Sequence, residues 1–186
     1  MSERIIGVDF DNTIVSYDAV MHTVALKQGW IGPQPKKNKK LIRDHIRLTP
    51  DGERKWQQLQ AIVYGKRVKE AQLMEGASRF LQSCIEHEIK IYIISHKTRY
   101  SNLGESKDNF WVAALGFMTQ NGFFNKDVLG LSVDSVYFES TMEEKARRIE
   151  TLHCTHFIDD LEETFLEKSL FRLLKYGAAK SRLELS

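Results

Sequence analysis

The sequence predicts an α/β fold, a parallel sheet flanked by helices with a small helical segment inserted after the first strand. Three observations predict it. Short apolar runs alternate along the chain with stretches of helical periodicity. The clearest runs end in acid, as in Ile5-Ile6-Gly7-Val8-Asp9 and Phe157-Ile158-Asp159. Over eighty residues separate Asp11 from Ser95, whereas a whole βαβ unit takes about 30, so roughly fifty are surplus to a crossover.

The elements follow in order. Residues 4–9 form a near-continuous apolar run, the pattern of a strand covered on both faces, and a central place in the sheet is expected for it. The surplus then reads as three helical stripes: Tyr17, Val20, Met21, Val24 and Ala25; Leu41, Ile42, His45 and Ile46; Trp56, Leu59, Ile62 and Val63. Residues 29–35 and 49–52 are the breaks between them. Ala77, Phe80, Leu81, Cys84 and Ile85 mark the next helix, and Lys90 to Ser95 the second strand. Phe110, Trp111, Ala114, Leu115 and Met118 share a helical face closed by Asn121 and Gly122. After a strand at 135–138, Thr141 and Glu144 have capping-box spacing ahead of a stripe of Met142, Ala146, Ile149 and Leu152. Strands at 155–159 and 171–175 complete the pattern. The expected division is a core of residues 1–16 and 75–186 with a helical cap of residues 17–74.

Composition narrows the classes. With 186 residues, 42% of them hydrophobic, the chain can bury a core, and 11 Gly with 3 Pro exclude collagenous and low-complexity readings. No apolar stretch approaches the roughly 18 to 20 residues that a membrane-spanning helix needs. The N-terminus passes from Ser2, Glu3 and Arg4 straight into the first strand, which is not a secretory leader, so the cytoplasm is the expected compartment and no membrane partner is expected. Cys84 and Cys154 are expected to be reduced and buried. The net charge of +2 hides an asymmetry: between Lys36 and Lys69, eleven Lys or Arg against three acids make +8, leaving −6 elsewhere. Such a stretch draws anions over about 8 Å, or is simply a solvated helix face.

In open α/β sheets ligands bind beyond the carboxyl ends of the strands. The polar residues there are Asp9-Phe10-Asp11-Asn12-Thr13, Ser95 and Asp159-Asp160, with Lys145 on the helix before the last of these. Asp9 and Asp11, two apart on an extended chain, share a face. Converging carboxylates repel by about 4 kcal/mol per pair at 4 Å and an effective dielectric near 20, which a cation or proton must relieve. Oxygen donors select a hard cation, and Mg²⁺ is the usual one where phosphate is also present. The ordinary alternative for these Asp residues is a set of helix N-caps. His153, Cys154 and His156 lack a complete zinc set, and no triphosphate or dinucleotide cradle motif occurs.

An apolar strand with DxDxT (Asp9, Asp11, Thr13), a strand with Ser95, then Lys145, then a strand with Asp159-Asp160 resembles the haloacid dehalogenase-like superfamily, all four of whose motifs occur in order. The resemblance covers residues 1–16 and 75–186 and implies a Rossmann-like core, with residues 17–74 similar to that superfamily's C1 type of cap. It implies a Mg²⁺-dependent phosphatase acting on a small phosphomonoester. Asp9 would be nucleophile and Asp11 acid and base. Thr13, Ser95 and Lys145 would serve the phosphate. The metal would take the Asp9 carboxylate, the Asp11 main-chain carbonyl and Asp160, with Asp159 a further ligand or partner. Asp11 argues against dehalogenation. Lys97 rivals Lys145, and the fourth motif continues as Leu-Glu-Glu, which leaves Glu163 as an outer ligand to consider. His96, Lys97, Arg99, Lys39 and Arg43 are candidate substrate contacts, suited to a substrate with additional negative charge. Alternatives are a phosphomutase or phosphotransferase with the same chemistry, or a non-catalytic phosphate- or nucleic-acid-binding module; nucleic acid is not the expected partner.

Overall fold

The computed structural model describes residues 4–33, 36–101, 103 and 108–161, and the backbone of 174–177. Among them the strands in chain order are β1 (Ile5–Val8), β2 (Val15–Ser16), β3 (Gln72–Leu73), β4 (Lys90–His96), β5 (Val136–Glu139), β6 (His156–Asp159) and β7 (Leu174–Gly177). The α-helices are α1 (Asp18–Lys27), α2 (Lys39–Arg47), α3 (Gly52–Tyr64), α4 (Ala77–Glu86), α5 (Phe110–Gln120) and α6 (Met142–Thr151). The chain forms two compact units, Met1–Ile14 with Met74–His96 and Leu131–Ser186, and Val15–Leu73 with Lys97–Gly130.

The first unit holds a five-stranded sheet in the order β5-β4-β1-β6-β7, every neighbouring pair parallel. β1 is central, as its two-sided apolar run requires. Alternation along β4 sends Ile91 and Ile93 to one face and Tyr92 and Ile94 to the other. On the latter face Ile94 packs with Ala146 and Ile149 of α6, Cys154 and Phe157, flanked by Ile5, Tyr92, Tyr137 and Leu152. The expected capping box opens α6: the Thr141 hydroxyl accepts from the Glu144 N–H, and the Glu144 carboxylate accepts from the Thr141 N–H. At Gly7, paired with Phe157, an added Cβ would lie 2.5 Å from Cδ2 of Phe157. Both cysteines are free and buried, and burial pushes the Cys154 thiol up to about 12.

The second unit is helical. Its two-stranded antiparallel ribbon pairs Val15 with Leu73 and Ser16 with Gln72, so the chain enters and leaves the inserted segment side by side. Tyr17, Val20, Met21, Val24 and Ala25 of the first expected stripe are buried, as are Trp56, Leu59 and Val63 of the third. In α2 only Ile42 and Ile46 are buried, while Leu41 is 46% exposed and His45 lies in solvent. Asn38 caps α2 by accepting from the Leu41 N–H, and Asn109 caps α5 by accepting from Trp111 and Val112.

The division differs from the expected boundaries in one segment. Residues 97–130, with α5, group with the helical unit rather than with the sheet. Part of this grouping is aromatic packing that periodicity does not reveal: Phe110 of α5 meets Tyr64 edge-on at 6.2 Å, and Tyr64 meets Tyr17 at 4.9 Å. The expected strand at 171–175 appears at Leu174–Gly177; residues 171–173 and Glu163 lie outside the described residues. Among the described residues no helix is long and apolar enough to cross a membrane.

Candidate active site

Register brings the first and fourth motifs together. Val8 of β1 pairs with Ile158 of β6, and the Asp9 N–H continues the ladder to the Ile158 carbonyl at 2.8 Å. Asp9 and Asp159, each following that pair, therefore stand side by side at the carboxyl end of the sheet. Both are buried, at 4% and 2% exposure. Burying two carboxylates is costly unless a cation meets them. Lys145 does so from the first turn of α6, with Nζ 2.7 Å from Oδ1 of Asp9 and 2.6 Å from Oδ2 of Asp159. The capping box sets the phase of that turn, and the Lys145 N–H closes it on the Thr141 carbonyl at 3.1 Å.

One ammonium does not neutralise the cluster. Carboxylate oxygens of Asp9, Asp159 and Asp160 lie within 4.8 Å of one another, so three carboxylates against one ammonium leave two negative charges when all are ionised. Burial raises the Asp9 carboxyl to about 7; Lys145 opposes that rise, and the Asp159 and Asp11 carboxylates add to it. Burial alone would lower Lys145, but the two carboxylates outweigh it and hold the ammonium above its ordinary range. An all-oxygen donor set with a residual charge of this sign suits a hard divalent cation. The half-buried Asp11 side chain is not in this trio.

Two further atoms await a partner. The hydroxyls of Thr13 and Ser95 are buried and make no hydrogen bond among the described residues. Buried polar groups are nearly always satisfied, so these two hydroxyls are open to a water or a polar ligand. Ser95 lies two residues beyond Ile93, the register partner of Val8, on the strand next to β1. Asn12 turns the chain between Asp11 and Thr13 with φ of +66°, a left-handed conformation Asn tolerates.

The expected substrate contacts divide between the units. His96 ends β4, with Nε2 3.1 Å from the Ser140 carbonyl oxygen. Lys97 and Lys39 belong to the helical unit, where their ammonium groups approach the Tyr64 ring at 4.5 and 5.8 Å. Arg99 lies over Trp111 and Tyr100, and the Trp111 N–H donates to the Lys97 carbonyl at 2.7 Å. Arg43 is paired with Asp44. Arg47 and Arg67 of the basic stretch are also ion-paired, with Glu53 and Glu70. Tyr64, which collects two lysines, is the last residue of α3 and lies beyond the expected stripe of Trp56, Leu59, Ile62 and Val63, so no role was expected of it.

The chain matches no family model and no curated protein. Its structure is similar to that of a haloacid dehalogenase-like hydrolase from Streptococcus pneumoniae, at a TM-score of 0.55 and 17% identity over 91% of this chain and 80% of that one. A haloacid dehalogenase superfamily hydrolase of subfamily IA from Geobacter sulfurreducens gives 0.52 and 13% over 91% and 83%. These likenesses establish the fold: the chain has the haloacid dehalogenase-like α/β architecture.

Proposed function

We propose, on that shared architecture, that the chain is a Mg²⁺-dependent phosphatase that hydrolyses a small phosphomonoester through an aspartyl-phosphate on Asp9. The observation that carries the reading is Lys145 held between buried Asp9 and Asp159 at 2.7 and 2.6 Å, in a unit that also carries the unpartnered hydroxyls of Thr13, in the turn after β1, and of Ser95 on β4. A nucleophile, a fixed cation and two unused donors are the parts that phosphoryl transfer requires.

In this reading an Asp9 oxygen attacks phosphorus as the bond from phosphorus to the departing alkoxide breaks. Asp11, two residues on, protonates that alkoxide and then accepts a proton from the water that attacks the phosphoryl-aspartate. Lys145, Ser95 and Thr13 hold the equatorial phosphoryl oxygens as charge redistributes. Asp9, Asp160 and the Asp11 carbonyl would hold the metal; both Asp159 oxygens already accept hydrogen bonds, from Lys145 and from the Leu161 N–H at 3.0 Å, so Asp159 is assigned to orienting its neighbours. The divalent ion, when bound, supplies the positive charge that keeps Asp9 ionised and lets one anion approach another.

The test is phosphate release across sugar phosphates, nucleotides and other monoesters, with Mg²⁺ and again with chelator. Release is expected only with the metal and is expected to vanish in Asp9→Asn. Turnover that survives that substitution would remove Asp9 as nucleophile.

A further inference from the structure

We propose that His96 is a positioning residue which fixes Lys145 relative to Ser95, rather than a contact to the substrate. The role rests on the phosphatase reading above, because it concerns the two residues assigned there to the phosphoryl oxygens. His96 is the last residue of β4 and directly follows Ser95. Its Nε2 lies 3.1 Å from the main-chain oxygen of Ser140, and since a carbonyl can only accept, this nitrogen carries the proton.

Ser140 belongs to a closed set of hydrogen bonds that ends at Lys145. The N–H groups of Ser140 and Thr141 both donate to Oε2 of Glu144 at 3.1 Å, and the Glu144 N–H donates to the Thr141 hydroxyl at 3.1 Å. The Lys145 N–H then donates to the Thr141 carbonyl. These bonds connect the oxygen that His96 holds to the turn that carries Lys145, the residue that bridges Asp9 and Asp159. The body of α6 has its own tie, since Arg148 Nε lies 2.7 Å from Oε1 of Glu139 on β5. The β4–β5 ladder ends at the pair of His96 with Glu139, and the imidazole adds a polar link from the end of β4 to the residue before Thr141, beside the packing of Ile94 on Ala146 and Ile149.

Positioning and recognition differ in their kinetics. A group that aligns charge stabilisation for the transition state affects kcat, whereas a uniform substrate contact affects KM. His96→Ala is expected to lower kcat about tenfold, the loss of one modest hydrogen bond. KM should stay within about twofold for two phosphomonoesters of different size. His96→Gln, whose amide can donate to the same oxygen, is expected to recover most of the rate. Affinity for orthovanadate, measured calorimetrically with Mg²⁺ present, should fall and recover in parallel. An unchanged kcat in His96→Ala, a KM rise confined to one substrate, or a Gln variant no better than Ala would each overturn the role. A parent chain that neither releases phosphate nor binds vanadate overturns the phosphatase reading first, and this role with it.

Discussion

Lys145 reaches across 136 positions of chain to place its ammonium 2.7 Å from Asp9, and the pair is almost wholly buried. The second carboxylate on the same ammonium, Asp159, makes the arrangement depend on the lysine from both sides. Removing one partner of a buried pair is costly because the survivor keeps its desolvation penalty. Lys145→Met is therefore expected to destabilise the chain by about 3 kcal/mol. At roughly 2 to 4 °C per kcal/mol for this size, the melting temperature should fall by about 6 to 12 °C. Thermal unfolding in chelator at pH 8 measures it, and a shift under about 2 °C would mean that the ammonium does not tie these elements together.

Asp9 predicts the opposite sign. Its folded carboxyl is raised to about 7 by burial, against Lys145 and with help from Asp159 and Asp11, above an unfolded value near 3.8. The unfolded chain therefore releases this proton first as pH rises, and the folded state loses stability between about pH 4 and pH 7 on account of this group. Asp9→Asn removes the titration while leaving an oxygen for Lys145. In chelator the variant should melt several degrees above the parent at pH 8 and close to it at pH 4, and it should release no phosphate. The same gap at both pH values would contradict the assignment of the strain to this carboxylate.

A cation that binds only the folded chain stabilises it by mass action, by about 2.7 kcal/mol at a hundredfold excess over Kd. Mg²⁺ is accordingly expected to raise the melting temperature by roughly 5 to 11 °C at saturating concentration. Asp160 offers the cleanest probe because, unlike Asp9 and Asp159, it is exposed, so Asp160→Asn leaves no buried hole. That variant should fold normally and lose most of the shift. A shift equal to the parent's would place the ion elsewhere.

Much of this site was legible because the sequence marks it locally. Asp9 and Asp159 each follow an apolar run short enough to be a buried strand, and Thr141 with Glu144 announces the helix start that sets the phase of Lys145. What stayed hidden depends on partners distant in sequence. Leu41 fits a helical stripe yet is exposed, because a nine-residue helix needs only Ile42 and Ile46 to anchor it. α5 has a strong apolar face, but nothing in that face says whether it will group with the sheet or with the helical unit. His96 reads as a candidate substrate contact until the fold brings Ser140 beside it.

Gly7 connects core packing to the candidate chemistry. It is the register partner of Phe157, and a Cβ there would lie 2.5 Å from Cδ2 and 2.8 Å from Cε2 of that ring, with Cys154 Sγ at 3.2 Å. Phe157 is fully buried and cannot swing into solvent, so Gly7→Ala has to be accommodated by parting β1 from β6. Overpacking of this kind costs about 1 to 3 kcal/mol. The same displacement would separate Asp9 from Asp159, each two residues further along its strand, and stretch the Lys145 bridge. Gly7→Ala is therefore expected to lower both the urea midpoint and kcat. Adding Phe157→Leu should restore part of each, because the smaller side chain vacates the space the new methyl needs. Urea titration and phosphate release on the two single variants and the double variant complete the cycle; effects that simply add would show that the ring and the glycine are not in conflict.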